Sequence, residues 1–393
     1  MRRFRLLPLA LLTAVVGFLG AAGPTGDAPP DWGFFGHRRI NRLATFTLPP
    51  EMMPAFRRNI DYLSEHAVDP DKRRYAAEEE AVRHYIDLDR YDRLPRDVAE
   101  ARWAYGSVVE IAGAGDTSRW FPDTILYAED VVLLRSDAQT VDLPWRAFRN
   151  LWYRPDLNHR DSLLALGLPV KAPEVRLLTS FGTHGMLPYH LLAHHRRLTQ
   201  AFVDRRADRV WQLAAEMGHY VGDAHVPLHT TENYNGQLTG QEGIHAFWES
   251  RLPELFADRE YDYFVGPADY IDDPRTYYWS VVEDSHRLVD SVLQTERRLR
   301  AEFAADRQLC YEERSGRTVL TQCSEFARAW SEAMDGMVED RFRAAIRSVG
   351  SVWYSCWVDA GQPELDFLGD GAQEVAADTL ATSPSDHPLR AYE

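Results

Sequence analysis

Residues 216–249, EMGHYVGDAHVPLHTTENYNGQLTGQEGIHAFWE, carry the side chains around which the rest of the chain is expected to fold. His219 and Asp223 are spaced i,i+4, so a helix would present an imidazole and a carboxylate on one face, about one turn apart. His245 and Glu249 repeat this spacing. One such pair alone is common on protein surfaces, whereas two neighbouring pairs favour a site that binds metal ions.

Between the two pairs the sequence predicts a helix end and a loop. Pro227 lacks a backbone N–H and ends the first helix, and the Asn/Gly-rich run 233–240 lets the chain fold back. His229 lies in this connection and adds a further imidazole. His225 is only two residues from Asp223 and faces another side of the helix, which favours a supporting or surface role. Together these residues predict a polynuclear metal site.

Length and composition indicate a globular protein. The chain has 393 residues, of which 45% are hydrophobic, enough for a sizeable core in one large or two medium domains. Its formal net charge is −16 at pH 7. This acidity argues against a tight, nonspecific grip on duplex nucleic acid, which depends on Lys and Arg contacts to phosphates. It leaves phosphodiester hydrolysis open, because bound metal ions can supply positive charge at the site itself.

The N-terminal residues have the layout of a secretory signal peptide. Arg2, Arg3 and Arg5 precede an apolar run that ends in small residues. An uncleaved membrane anchor is the alternative, because the uncharged run is just long enough to span a bilayer. We therefore expect an exported protein, periplasmic or secreted. The expected segments are a signal peptide at 1–23, a linker at 24–31, a single domain at 32–361 and a polar, disordered tail at 362–393.

Apolar periodicity predicts a mainly α-helical domain. Helical patterns occur at 32–48, 51–66, 188–202, 205–224, 241–257, 278–303 and 321–349. A helix is also plausible over 96–114, but the following stretch to Pro173 has no firm pattern and could be an insertion or a lid. We find no internal repeat and no convincing series of strands.

The cysteines are too few for a disulfide scaffold in a chain of this size. Cys310 and Cys323 flank a polar loop and could pair in an exported protein. Cys356, inside the aromatic WYSCW, is predicted to be a buried thiol. None of the three has the CxxC spacing of a zinc site.

Several motifs resemble a known family. HYVGDAHVPLH (219–229) and GIHAFWE (243–249) resemble the paired signatures of the zinc-dependent phospholipase C and single-strand nuclease (S-one/P-one) superfamily. Upstream, WGFFGH (32–37) resembles that family's mature N-terminus, HAVDPDKR (66–73) its first Asp motif and RHYIDLD (83–89) its next His motif. The motifs occur in the family's order, which is far more specific than any one of them.

The resemblance covers residues 32–249 and implies a single α-helical domain of the phospholipase C and nuclease type, built around a trinuclear zinc cluster. It implies a first zinc held by Asp69, His84, His219 and Asp223, a second held by His229, His245 and Glu249, and a third held by His37 and Trp32 with Asp223 shared. Asp69 is also the residue whose loss is expected to abolish catalysis. Three such ions can bind phosphate oxygens and lower the pKa of a water nucleophile.

Two features depart from the family pattern. The family's mature Trp supplies its free α-amine and its carbonyl to the metal, yet Pro30 and Asp31 precede Trp32 and do not form a small-residue cleavage site. Either a second processing step exposes Trp32, or the third zinc is held differently. Glu249 stands where the nuclease branch typically has Asp and the phospholipase branch has Glu.

Two further residues are candidates for contact with substrate. Lys72 lies three residues after Asp69, where the nuclease branch places an arginine that faces phosphate, and a solvated turn residue is the equal alternative. His184, in a Gly-flanked loop, is a candidate for the wall of the site.

The expected activity is zinc-dependent hydrolysis of phosphodiester bonds, with an endonuclease or nucleotidase acting on single-stranded nucleic acid as the leading choice. A phospholipase C acting on phospholipid headgroups is the alternative. A non-catalytic zinc-binding protein is a further alternative. No stable protein partner is implied, and no transmembrane segment is expected after removal of the signal peptide.

Overall fold

The computed structural model describes residues 32–74, 78–91, 184–314 and 316–369, together with strands and one short helix between 108 and 178. Of these residues 70% are helical, which confirms the predicted mainly α-helical class. None of the described helices is both long and apolar enough to cross a membrane. The predicted signal peptide and linker, at 1–31, lie outside the described residues.

The helices form one series along the chain. They are α1 Trp32–Ala44, α2 Met53–Arg58, α3 Ile60–Glu65, α4 Asp69–Arg74, α5 Glu78–Ala81, α6 Arg160–Ala165, α7 Leu187–Val203, α8 Ala207–Ala224, α9 Ile244–Ala246, α10 Leu252–Glu260, α11 Pro274–His286, α12 Val289–Glu302, α13 Ser324–Ala333 and α14 Met337–Asp359. A π-helical turn, Phe247–Arg251, joins α9 to α10. Short 3₁₀ helices include His66–Val68 and Pro227–Thr230.

Two antiparallel sheets accompany the helices. Strands β1 Val108–Gly113, β2 Asp116–Leu126, β3 Val131–Arg135, β4 Thr140–Pro144 and β5 Glu174–Leu178 form one sheet in the order β4-β3-β2-β1-β5. Strands β6 Leu309–Arg314 and β7 Arg317–Gln322 form a separate hairpin. The expectation of no strand series is therefore wrong, and the end of the helix predicted over 96–114 is strand β1 instead.

Helix α8 lies at the centre of the helical part. Every residue from 213 to 224 is buried, and the helix packs against α1, α7 and α14. Close approach of α1 depends on Gly218, where a Cβ atom would lie 1.7 Å from Asn41 Oδ1. Asn41 in turn donates hydrogen bonds to the carbonyls of Leu63 and Ala215. This packing brings α1 and α8 together along the face that carries the candidate metal ligands.

Two predicted long helices are each interrupted. The pattern at 278–303 divides into α11 and α12. In the pattern at 321–349 the first residues belong to β7, and α13 is separated from α14 where Asp335 and Gly336 adopt φ angles of 49° and 79°. Such left-handed residues end a helix, because its hydrogen-bond ladder cannot continue through them.

The cysteine predictions are confirmed. Cys310 and Cys323 form a disulfide that closes the β6–β7 hairpin, with a Cα–Cα distance of 5.0 Å. Cys356 is a buried thiol. The first part of the predicted tail differs from the expectation, because Leu365–Leu368 forms a 3₁₀ helix. Leu368 is buried, and its carbonyl accepts a hydrogen bond from the indole N–H of Trp211.

Candidate metal centre

His219 is fixed in one orientation on the buried face of α8. Its Nδ1–H donates to the carbonyl of Ala67, 2.8 Å away, so the lone pair is on Nε2. That Nε2 lies 3.3 Å from Asp223 Oδ2, one helical turn along, as the i,i+4 spacing predicts. Both side chains are buried. An imidazole whose other nitrogen is held by a carbonyl is typical of a metal ligand.

His84 and Asp71 complete the first donor group around His219. His84 Nδ1 lies 3.0 Å from both His219 Nε2 and Asp223 Oδ2. Asp71 Oδ1 lies 3.7 Å from His219 Nε2 and 3.8 Å from His84 Nδ1. The other nitrogen of His84 faces the buried carboxylate of Glu80 at 3.8 Å. Asp71, His84 and His219 therefore converge closely enough to hold a metal ion.

His37 brings helix α1 into the cluster. Its Nε2 lies 3.4 Å from Asp223 Oδ1, and its ring stacks on that of His219 at 3.9 Å between centroids. The fit requires Gly222, since a Cβ at that position would lie 2.9 Å from His37 Nδ1. His37, His219 and Asp223 form a second group able to hold an ion.

The third group of donors comes from residues 229–249. Glu249 Oε2 lies 2.6 Å from His245 Nε2 and 3.4 Å from His229 Nε2. His229 Nδ1–H donates to the carbonyl of His84 at 2.6 Å, which again leaves Nε2 as the ligand atom. His229, His245 and Glu249 lie close enough to hold an ion. Glu249 is carried by the π-helical turn, a rare geometry that is frequent at functional sites.

The three groups form one cluster. Asp223 Oδ1 lies 3.9 Å from His229 Nε2, and Glu249 Oε1 lies 3.7 Å from His37 Nε2. The two oxygens of Asp223 consequently face different sets of imidazoles: Oδ1 faces His37 and His229, whereas Oδ2 faces His84 and His219.

Burial makes the cluster a poor environment for isolated charges. It raises the pKa of Asp223 well above its usual value, and the charges of Asp71 and Glu249 raise it further. Burial also lowers the pKa of His37 and of His219 to about 3. Neutral imidazoles beside buried carboxylates are the donor set that a divalent cation stabilises. The residues present therefore fit a metal ion.

The structure places Asp71, not Asp69, in the cluster. Asp69 faces the opposite side of α4, where its carboxylate contacts His66 Nδ1 at 2.6 Å and Lys72 Nζ at 2.9 Å. Burial alone would raise the pKa of Asp69, but these two contacts hold it below its usual value. The two aspartates are two residues apart in a helix, about 200° around its axis, so only one of them can face the cluster.

Because Asp71 takes the place expected for Asp69, the basic residue three positions later is Arg74 and not Lys72. Arg74 lies three residues after Asp71, is buried, and has Nη1 3.7 Å from Asp71 Oδ1. Lys72, in contrast, is more than half exposed and pairs with Asp69. Sequence reasoning missed both Asp71 and Arg74, although the spacing Asp-x-x-Arg is satisfied by this pair and not by Asp69 and Lys72.

Other candidates lie near the cluster without joining it. Half-buried His184 contacts Asp87 Oδ2 at 3.1 Å, beside the loop that carries His84, so its substrate role stays a prediction. His225 is buried and not a surface residue; its Nδ1–H donates to the carbonyl of Val221, and its Nε2 contacts Ser348 at 3.1 Å, so its supporting role stays a prediction. Trp32 begins α1, and its part in a metal site also stays a prediction.

No family model matches the chain, and no curated protein matches it.

Proposed function

We propose that this protein is an exported zinc-dependent phosphodiester hydrolase whose leading substrate is single-stranded nucleic acid or nucleotide ends. The observation that carries the proposal is the position of Asp223, whose two oxygens face two different sets of imidazoles. A carboxylate placed between two donor sets is suited to bridging two ions. The motif resemblance supports the same activity.

Zinc is the ion that this donor chemistry favours. Neutral imidazoles and carboxylates suit zinc, and the buried thiol Cys356 is outside the cluster. The proposed ligands are His37, Asp71, His84, His219, Asp223, His229, His245 and Glu249, with Trp32 as a further candidate for the third ion. Zinc held by these residues would supply Lewis acidity for phosphate oxygens and would lower the pKa of a water nucleophile.

The chain's own residues then perform three tasks. The carbonyls of Ala67 and His84 orient His219 and His229, so that both Nε2 atoms point into the cluster. Asp71, in place of Asp69, supplies negative charge at the first group. Arg74, buried beside Asp71, is the residue proposed to bind a phosphate oxygen, because a guanidinium forms strong charge-assisted hydrogen bonds with phosphate.

Export is supported by the disulfide. The bond between Cys310 and Cys323 would be reduced in most cytosolic environments but persists in oxidising ones. The signal-peptide pattern leads to the same proposal. Sequencing the N-terminus of the exported protein tests it, and also shows whether processing exposes the α-amine of Trp32.

The substrate class is tested with the exported, purified protein. Zinc-loaded and chelator-treated samples are incubated with single-stranded DNA, RNA and phosphatidylcholine vesicles, and Asp71→Asn serves as the matched inactive variant. Zinc-dependent cleavage of either nucleic acid supports the proposal. Cleavage of the lipid alone would favour the phospholipase C alternative, whose branch of the family typically has Glu at the position of Glu249. Bound zinc without any turnover would indicate a non-catalytic zinc-binding protein.

A further inference from the structure

The π-helical turn Phe247–Arg251 is held in place by contacts with elements outside the metal centre. It places Glu249 between the α9 residue His245 and the start of α10. A π-helical turn is intrinsically less favourable than an α-helical one, so neighbouring elements must hold it. A small change of its register would move Glu249 Oε2 away from His245 and His229, which it contacts at 2.6 Å and 3.4 Å.

The first anchor of this turn is aromatic. Phe247, two residues before Glu249, packs its ring 4.2 Å from that of Trp330 and stacks on Phe326 at 5.6 Å between centroids. Both partners lie on helix α13, which begins immediately after Cys323 of the disulfide. All three rings are buried, so the contact fixes the side of the turn that precedes Glu249.

The second anchor is Arg251, two residues after Glu249. Its side chain is 4% exposed, and Nε and Nη2 donate to the carbonyl of Gln322 at 3.2 Å and 3.0 Å. Nη2 also contacts Glu312 Oε1 at 2.5 Å, and Nη1 contacts Glu254 at 3.2 Å. Gln322 and Glu312 belong to the β6–β7 hairpin. A buried guanidinium with fixed acceptors restrains its own backbone, because moving away from those acceptors would leave a buried charge unpaired.

The disulfide fixes the positions of these acceptors. Gln322 is adjacent to Cys323, and Glu312 is two residues from Cys310. The backbone N–H of Cys323 also donates to the carbonyl of Gln308 at 3.0 Å, which closes the base of the hairpin. The covalent bond therefore keeps both strands in the register at which they meet Arg251.

We infer that Arg251 is a positioning residue, through which the disulfide-closed hairpin holds Glu249 in place and sets the zinc affinity of the His229, His245 and Glu249 group. The inference rests on the proposed function only in taking zinc as the ion of this group. The described contacts of Arg251 are with Gln322, Glu312 and Glu254, none of which is a proposed metal ligand. Loss of the contacts of Arg251, or of the disulfide that holds their acceptors, loosens the group of His229, His245 and Glu249. The other two donor groups of the cluster keep their ligands.

The test compares zinc retention by Arg251→Met, Arg251→Lys and a control, Arg328→Met. Arg328 serves as the control because, like Arg251, it pairs with a glutamate, in this case Glu260, while none of its described contacts reaches the hairpin. Zinc per chain is measured on folded, monodisperse protein after dialysis against a graded chelator. We expect about tenfold weaker retention of one ion in Arg251→Met, a smaller loss in Arg251→Lys and none in Arg328→Met.

A second variant tests the disulfide itself. Cys310→Ser/Cys323→Ser is used in place of chemical reduction, because added thiols bind zinc. It should lose the same ion as Arg251→Met, and cobalt-substituted samples of both variants should lose the same part of the visible spectrum. If the double variant does not fold, Arg251→Met decides the question alone.

The outcomes separate positioning from plain stabilisation. A lowered melting temperature with unchanged zinc per folded chain in Arg251→Met would overturn the inference, because a purely structural residue acts in that way. Equal loss of all ions would overturn it as well. Failure of the proposed function is distinct: wild-type protein that binds zinc but cleaves no phosphodiester refutes the enzyme proposal, while the retention measurements still decide the role of Arg251.

Discussion

His84 Nδ1 and His219 Nε2 lie 3.0 Å apart although 135 positions separate the two residues in the chain. His219 has already committed its other nitrogen to the carbonyl of Ala67, so the facing Nε2 carries a lone pair. A single proton can bridge the two imidazoles in the absence of metal. A cation can take the same place with both lone pairs, and Asp223 and Asp71 add carboxylate oxygens beside it.

This arrangement predicts opposite results for two neighbouring aspartates. Asp71→Asn should lower zinc-dependent hydrolysis by at least about 100-fold, because loss of groups that merely support metal ligands already costs about 10–100-fold. Asp69→Asn should retain most activity, since Asp69 contacts His66 and Lys72 on the side of α4 that faces away from the cluster. Zinc per chain and turnover of a chromogenic phosphodiester check both. Loss of activity in Asp69→Asn alone would restore the assignment made from the sequence motif.

Spacing within one helix was a reliable guide, and placement between elements was not. The i,i+4 spacing predicts the contact in His219/Asp223, which lies within α8, and in His245/Glu249, which runs from α9 into the π-helical turn. The choice of Asp71 over Asp69 depends on the rotation of α4 about its axis, which is set by its contacts with neighbouring elements, including α5 and α8. The Asp-x-x-Arg spacing of Asp71 and Arg74 is a local signal that favours Asp71, but it does not report how α4 is rotated.

The fold could be predicted to a similar extent. Long helices such as α7 and α8 have strong apolar periodicity and were found close to their actual limits. The break between α13 and α14 depends on two residues with positive φ, Asp335 and Gly336, and only the glycine is a usual signal. The strands within 108–178 have mixed composition, which hides their periodicity. Strands β1 to β4 pair with their neighbours in sequence, and only the pairing of β1 with β5 joins distant residues.

Two glycines on buried helices form a matched pair for the packing of His37. Gly222→Ala should destabilise the protein by about 1–3 kcal/mol and weaken zinc retention, because the new Cβ would lie 2.9 Å from His37 Nδ1. Gly36→Ala gains the same helix propensity, but its Cβ would meet Phe342 at an ordinary 3.6 Å, so it should be neutral or stabilising. Thermal unfolding and zinc content distinguish the two; equal effects would show that α1 can move away from α8.

The buried histidines of α7 predict a loss of stability in acid. Burial lowers the pKa of His190 well below its ordinary value of 6.5, and nearby Arg83 and His194 lower it further. The unfolded chain therefore takes up a proton that the folded one does not. Above pH about 6.5, His190 makes its full contribution to the free energy of unfolding. As the pH falls from there to the lowered pKa of the folded state, this contribution is lost at about 1.4 kcal/mol per pH unit.

His190→Phe removes this proton and tests the sign. The ring position is preserved, since His190 meets Tyr220 edge-on at 4.3 Å and phenylalanine can do the same. Denaturant unfolding at pH 7.5, 6.5 and 5.5 should show that the free energy of unfolding falls less steeply with pH in the variant than in the wild type. Zinc release in acid affects both proteins alike, so the difference isolates the histidine. Parallel curves would mean that the pKa of His190 is the same in the folded and unfolded states.

Arg74 and Lys72 give the sharpest test of how a phosphate would be held. Arg74 is buried beside Asp71, whereas Lys72 is more than half exposed and pairs with Asp69. A hydrogen bond to a charged group contributes about 1.5–3 kcal/mol, so Arg74→Gln should lower kcat/KM for a phosphodiester by about 10- to 100-fold. Lys72→Gln should change it by less than about twofold, as expected for an exposed pair. Zinc content must be equal in both variants: a loss of activity in Arg74→Gln that follows loss of zinc would show that the guanidinium only balances the charge of Asp71.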